Sequence, residues 1–154
     1  MSFVIDTMLG VLTRWLRILG YDAFYLNEVS DDQLLVISTD EGRILLTRDL
    51  ALFRRAKSRG LNTYFVEGCS IASRLANIAK RYQIRLKVDP NLSRCPLCNS
   101  SLKVTGKRGI LHRIPHGTLN NYDEYWLCTG CGKIYWHGSH WKQINETLRM
   151  ARTP

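Results

Sequence analysis

Four of the five cysteines form two C-x-x-C pairs, a spacing typical of metal ligands. The pairs are Cys95–Cys98 and Cys128–Cys131, with 29 residues between them. A tight C-x-x-C turn lets two thiolates converge on one Zn²⁺ at about 2.3 Å. Four thiolates leave no open coordination position, so we predict one structural zinc ion; unliganded thiols and two disulfides are the alternatives. Cys69 lies outside both pairs and is predicted to be an ordinary buried thiol.

Three aspartates follow or adjoin strand-like segments in the first half of the chain. Asp6 ends the run Phe3–Ile5, Asp49 follows Arg43–Thr47, and Asp31 begins a helix. Active sites of parallel sheets lie beyond the carboxyl ends of the strands, and clustered carboxylates need a cation between them. Mg²⁺ or Mn²⁺ fits, because hard cations prefer carboxylate oxygens and can activate water for phosphodiester hydrolysis. The structural alternative is that each acid caps a helix or favours its dipole.

The elements that must position these acids alternate between strands and helices over residues 1–90. Apolar residues recur at helical spacing from Met8 to Leu19, and Ser30 to Gln33 has the pattern of a capping box. The predicted strands are Phe3–Ile5, Ala23–Leu26, Arg43–Thr47 and Thr63–Val66. Strands separated by helices imply right-handed crossovers and a parallel sheet covered on both faces.

The alternation ends at the turn-rich segment Asp89–Asn91. Short strand candidates follow around the cysteines, namely Leu102–Thr105, Leu111–Ile114, Tyr125–Leu127 and Lys133–Trp136. The predicted fold class is α/β, a parallel sheet flanked by helices, plus a small β-rich zinc ribbon. We expect the α/β domain over residues 1–90, the ribbon over 91–141, and a helix or tail over 142–154.

The charge of the chain favours a polyanionic partner. The formal net charge is +9, and residues 91–154 carry 9 Lys and Arg against 3 Asp and Glu. Surface cations release counterions from phosphates, so we favour RNA over a merely basic, soluble protein. The predicted phosphate contacts are Arg14, Arg17 and Arg48.

Aromatic residues lie among basic ones beside the second cysteine pair. Trp136 and Trp141 are candidates for stacking on unpaired bases or for core packing, and we expect Trp126 and Tyr135 in the core.

Nothing in the composition indicates a membrane protein. No apolar stretch approaches the roughly 20 residues needed to cross a bilayer. The N-terminus lacks the basic and apolar regions of a signal peptide. We therefore expect a soluble cytoplasmic protein.

Several stretches together resemble the Mut7-C ribonuclease-like family, a branch of the PIN-like nucleases. Besides both cysteine pairs, the matching stretches are Asp6–Gly10, Arg14–Asp22, Glu41–Asp49 and Tyr135–Trp141. The resemblance implies a PIN-like α/β domain fused to a zinc ribbon, with metal-dependent cleavage of RNA. The acids it implies are Asp6, Asp31 and Asp49. A fourth acid would come from Glu28, Asp32 or Asp40.

These observations lead to a functional hypothesis. We predict an endoribonuclease that depends on Mg²⁺ or Mn²⁺ and acts on single-stranded RNA, or on RNA within a ribosome or another ribonucleoprotein. The main alternative is a non-catalytic RNA- or ribosome-binding protein. A zinc-stabilised adaptor between proteins would explain the cysteines but not the charge. The sequence leaves the oligomeric state open.

Overall fold

The structure, a computed structural model, describes residues 1–153; Pro154, in the predicted C-terminal helix or tail, lies outside the described residues. The strands of its first half are β1 (Ser2–Ile5), β2 (Asp22–Phe24), β3 (Ile44–Thr47) and β4 (Thr63–Phe65). A 3₁₀ turn at Thr7–Leu9 precedes the first of four helices, which are α1 (Gly10–Ile18), α2 (Asp31–Glu41), α3 (Leu50–Ser58) and α4 (Ile71–Tyr82). The strands pair in parallel in the order β2-β1-β3-β4.

Both faces of the sheet are buried under helices. Phe3 and Ile5 of β1 pack in one core with residues of α1 and α4, such as Leu16 and Leu75. Val4, the residue between them, packs on the other face with residues of α2 and α3. This alternation follows from the two-residue period of a strand. It explains why the strands are short, continuous apolar runs, and the predicted parallel sheet is confirmed.

Side chains at the predicted positions define two helix starts. The Ser30 hydroxyl accepts from the backbone N–H of Gln33, whose side chain accepts from the backbone of Ser30, so the predicted capping box is present. Ser70 and Ser73 form an equivalent pair at the start of α4. Such caps satisfy backbone donors that have no partner within the helix.

The second part of the chain contains a smaller antiparallel sheet. Its strands are β5 (Leu102–Thr105), β6 (Tyr125–Cys128) and β7 (Ile134–Tyr135), with β6 in the centre. The predicted strand at Leu111–Ile114 is wrong. Those residues form turns, and a short helix, α5 (His116–Asn121), follows Pro115. Of the two apolar residues that suggested a strand, Ile114 packs in the ribbon core with Tyr125, whereas Leu111 is exposed.

The chain ends in helix α6 (His140–Arg152), which returns to the first sheet and packs on α4. Leu148 and Ala151 are buried in the same core as Leu16 and Leu75. The last helix therefore completes the core of the α/β layer. Among the described residues, no helix is both long enough and apolar enough to cross a bilayer.

The first cysteine turn docks against the outer edge of β2. Ala23 donates its backbone N–H to Oδ1 of Asn99 at 3.2 Å, and its carbonyl accepts from Nε of Arg17 at 2.9 Å. Nη1 of Arg17 also donates to the carbonyls of Pro96 and Leu97, both at 3.0 Å. One buried guanidinium thus joins α1, β2 and the first cysteine turn.

Cys69 differs from its prediction. It lies in the loop between β4 and α4, and its side chain is exposed. This loop runs over the surface, so the thiol has no core to enter.

Candidate functional site

Asp6 and Asp49 lie at the same edge of the parallel sheet. They follow β1 and β3, which are neighbouring strands with Ile5 paired to Leu46. The buried hydroxyl of Thr47 donates to Oδ2 of Asp6 at 2.7 Å and accepts from the backbone N–H of Asp49 at 2.9 Å. A single hydroxyl therefore links the two aspartates. We call the region around Asp6, Asp31 and Asp49 the acid edge.

The two carboxylates have different surroundings. Asp6 is only 6% exposed, and its Oδ1 accepts from the hydroxyl of Thr7 at 3.3 Å. Asp49 caps α3, since its Oδ1 accepts from the backbone N–H of Leu52 at 3.0 Å. Asp49 thus caps a helix, which was the structural alternative to metal binding. The cap occupies one carboxylate oxygen and leaves the other without a donor among residues 1–153, so capping and metal binding are compatible.

Asp31 belongs electrostatically to the same edge. It is the first residue of α2, and its pKa is raised, first by partial desolvation and then by the negative charges of Asp49 and Asp6. Arg55 of α3 opposes this shift, with its guanidinium 3.9 Å from Oδ2 of Asp31. The charged form of Asp31 is disfavoured next to two other carboxylates, and a cation at this edge would relieve that repulsion.

The donor chemistry of the acid edge suits a hard divalent cation. It offers carboxylate oxygens, which Mg²⁺ and Mn²⁺ prefer. Over residues 1–153, the three acids do not form a group whose ligand atoms all lie within 4.8 Å of one another. Of the candidates for a fourth acid, Asp32 pairs with Arg55, Glu28 is exposed, and Asp40 lies in the last turn of α2, at the opposite end from Asp31.

The four paired cysteines form a compact cluster of ligand atoms. Their sulfur atoms all lie within 4.8 Å of one another, with 3.7 Å between Cys95 and Cys131 and 3.3 Å between Cys98 and Cys128. A tetrahedral Zn²⁺ with bonds of about 2.3 Å needs sulfurs about 3.8 Å apart. The cluster therefore fits one four-coordinate zinc ion. Cys95 and Cys128 are buried, whereas Cys98 and Cys131 are exposed.

The surroundings of Cys98 and Cys128 shift the pKa values of these two thiols in opposite directions. Hydrogen bonds with the side chain and backbone of Ser100 lower the pKa of Cys98 to about 6, while burial raises the pKa of Cys128 to about 12. Burial thus disfavours the thiolate of Cys128, and metal binding would displace its proton. Gly130 leaves room for Ser100, because a Cβ at position 130 would overlap the Ser100 hydroxyl oxygen.

Comparison with protein families identifies the chain. The family model described as Mut7-C RNAse domain matches residues 1–148. This chain belongs to the Mut7-C RNase domain family. No curated protein and no solved structure matches it significantly. The match includes both the acid edge and the cysteine cluster, so the resemblance seen in the sequence is confirmed.

The three arginines predicted to bind phosphate occupy different environments in this Mut7-C domain. Arg14 is exposed on α1 and lines a groove beside that helix. Arg17 is 6% exposed and holds the first cysteine turn, so its donors face protein carbonyls. Arg48 donates to the carbonyls of Val66 and Gly68 at 2.8 and 3.3 Å. Arg14 is the one of the three whose guanidinium is open to solvent, since the other two are engaged by the protein backbone.

The aromatic residues of the Mut7-C domain gather between the ribbon and the α/β layer. Trp126 is buried, as predicted, and Tyr135 is half-buried, with its hydroxyl 3.1 Å from the sulfur of Cys95. Trp136 and Trp141 are half-buried. His137 stacks between Trp126 and Trp141, with ring centroids 4.9 and 4.1 Å away.

Two residues of the acid edge escaped the sequence prediction. Thr47 is predicted only as the end of a strand, and Arg55 is not among the predicted site residues. A polar residue closing an otherwise apolar run was the available signal for Thr47, because a buried hydroxyl needs hydrogen-bond partners. No comparable signal marked Arg55, whose partners Asp31 and Asp32 lie on another helix.

Proposed function

We propose that this Mut7-C protein is an endoribonuclease that cleaves single-stranded RNA with Mg²⁺ or Mn²⁺ at the acid edge. Asp6, Asp31 and Asp49 would hold the divalent ions. The observation that carries the proposal is the Thr47 hydroxyl, which joins Asp6 to Asp49 through bonds of 2.7 and 2.9 Å. Family membership supports ribonuclease activity, and the choice of single-stranded RNA is our own.

The residues of the chain have distinct tasks in this proposal. When bound, the divalent ion activates a water and stabilises the leaving oxygen of the phosphodiester. Thr47 fixes the carboxylate of Asp6 by donating to Oδ2, and the helix cap fixes Asp49. Arg14 attracts the phosphate backbone, which is the sequence-independent part of RNA binding. Such pre-positioned charges and dipoles stabilise a transition state because they need no reorganisation during the reaction.

The cysteine cluster has a structural task in the same proposal. Four thiolates leave a bound Zn²⁺ without an open position for substrate. We propose that residues 91–141 form a zinc ribbon that grips RNA or docks the enzyme on a ribosome or another ribonucleoprotein. The α/β domain would extend over residues 1–90, and residues 142–154 would form the C-terminal segment.

The test is cleavage of end-labelled single-stranded RNA with Mn²⁺ by the wild type, Asp6→Asn and Asp49→Asn. Asparagine keeps the shape of the side chain, and at position 49 it remains a good helix cap. We expect each variant to lose more than about 100-fold in rate, beyond the loss typical of outer-shell partners of a metal. Binding of the same RNA should persist in both variants.

Asp40→Asn is the matched control, since Asp40 is an exposed acid at the far end of α2. It should cleave like the wild type. RNA binding by the wild type without cleavage, across several RNAs and with both metals, would contradict the proposal and favour the non-catalytic RNA-binding alternative.

A further inference from the structure

An aromatic cleft lies at the junction between the ribbon and the α/β layer. It has a volume of about 200 Å³. Its walls come from the end of α1, the first cysteine turn, the ribbon sheet with the residue after it, and the start of α6. The lining residues from these elements include Ile18, Pro96, Trp126, Tyr135, Trp136 and Trp141. We call it the aromatic cleft.

The aromatic cleft is lined by stacked aromatic rings in a basic setting. The rings of His137 and Trp141 are inclined by 23°, and those of His137 and Trp126 by 29°, so three flat side chains are stacked. Arg94 lines the cleft, and the ammonium of Lys133 lies 5.8 Å from the ring centroid of Tyr135. No aspartate or glutamate is among the described residues that line it.

A groove lies beside α1, between the first turn of that helix and the first cysteine turn. It runs beside α1 and is lined by Gly10, Arg14 and Tyr25 at one end and by Pro96 at the other. Pro96 lines both the groove and the aromatic cleft. At the end of the groove lined by Tyr25, the Tyr25 hydroxyl donates to the carbonyl of Thr7 at 2.9 Å. Thr7 directly follows Asp6 in the sequence.

The aromatic cleft and the acid edge therefore lie at opposite ends of α1. The helix has 9 residues and spans about 13 Å at about 1.5 Å per residue. Arg14 lies midway and is exposed. A strand lying along this path would meet carboxylates at one end, a cation in the middle and aromatic rings at the other end.

We propose that the aromatic cleft binds one unpaired base of the RNA strand, several nucleotides away from the phosphodiester that the acid edge cleaves. This inference rests on the proposed function, because that function places the cleaved bond at the acid edge. Half-buried tryptophans can stack any base, because every base has a π face. The basic setting, free of carboxylates, suits a polyanion, whereas an acid-lined cleft would repel it. The path along α1 gives the RNA footprint a minimum length of about four nucleotides, at the lower limit for single-strand binders.

The test is binding of single-stranded RNAs of about 12 nucleotides, each with one abasic position, to zinc-loaded protein carrying Asp6→Asn to prevent cleavage. An abasic site removes a base but keeps its phosphate, so it separates stacking from charge. We expect one position to bind about tenfold more weakly than intact RNA. Adding Trp141→Ala should weaken the binding of intact RNA by a similar factor. In this variant, an abasic site at the sensitive position should have no further effect on binding.

Two variants separate this effect from unfolding. Trp141→Phe keeps an aromatic face and should retain most of the affinity, while Gln143→Ala changes an exposed residue of the same helix outside the cleft and should bind normally. A scan with no sensitive position, or unchanged binding by Trp141→Ala, overturns the inference even if the wild type cleaves RNA. A sensitive position that Trp141→Ala removes supports base binding even if the wild type proves inactive, which would instead refute the proposed cleavage.

Discussion

At the scale of single residues, the buried hydroxyl of Thr47 determines how Asp6 and Asp49 are held. A buried carboxylate is costly unless it is hydrogen-bonded, and charge-assisted bonds are the strong ones. The bond from Thr47 to Asp6 is 2.7 Å long, whereas the bond from Thr7 is 3.3 Å. Thr47 is therefore the main partner of this carboxylate within the protein.

Thr47→Val tests this role, because valine has nearly the same shape but no hydroxyl. We expect the free energy of unfolding to fall by about 1–3 kcal/mol, since Asp6 loses its shorter hydrogen bond. Urea denaturation without added Mg²⁺ or Mn²⁺ measures the change. Thr47→Ser keeps the hydroxyl and should lose only about 0.8 kcal/mol for the missing methyl group. A valine variant as stable as the wild type would contradict this account.

At the scale of elements, Arg17 fastens the first cysteine turn to α1 and β2. Burial lowers its pKa, while the nearby Cys95 and Cys98 act in the opposite direction. Its guanidinium bonds to Pro96 and Leu97, the two residues between those cysteines. The helix thus braces the backbone that carries two of the four sulfur ligands.

Arg17→Met should therefore weaken zinc binding as well as stability. Outer-shell partners of metal ligands are typically worth about 10–100-fold in affinity, and we expect a loss in that range. Competition with a chromogenic chelator measures it. Arg14→Met is the control, since Arg14 lies on the same helix but is exposed. Equal zinc affinity in both variants would show that the brace does not act on the metal site.

The elements also show what the sequence allows one to predict. The parallel sheet followed from strands that alternate with helices, and the metal cluster followed from the C-x-x-C spacing. Local patterns such as the capping box at Ser30 were likewise predictable. The role of Arg17 could not be predicted, because its hydrogen-bond partners Pro96 and Leu97 lie 79 and 80 residues away in the sequence. The strand predicted at Leu111–Ile114 was wrong because Ile114 enters the ribbon core from a turn, without strand pairing.

At the scale of the whole molecule, the first and last segments of the chain share one core. Leu148 of α6 is 2% exposed and packs in the core built by β1, α1 and α4. The chain thus leaves the α/β layer, forms the ribbon and returns. The ribbon is therefore joined to the α/β layer by the chain at each of its two ends and by the docked first cysteine turn.

Leu148→Ala should lower the free energy of unfolding of the whole protein by about 2–5 kcal/mol, the usual range for a buried leucine. Met150→Ala, on the same helix and 49% exposed in the wild type, should change it by less than about 0.5 kcal/mol. Denaturant unfolding followed by circular dichroism gives both values. A small effect of Leu148→Ala would mean that α6 adds little to the core.

The docking of the first cysteine turn also covers part of the outer edge of the parallel sheet. β2 is a border strand of the parallel sheet, and at Ala23 its outward N–H and carbonyl are occupied by Asn99 and Arg17. An unpaired border strand is a template for pairing with another chain. Loss of zinc would loosen the turn that carries Asn99, and we expect the N–H of Ala23 then to become open for pairing, while Arg17 of α1 still bonds its carbonyl. Metal-depleted molecules would then self-associate through β2 before the rest of the fold is lost.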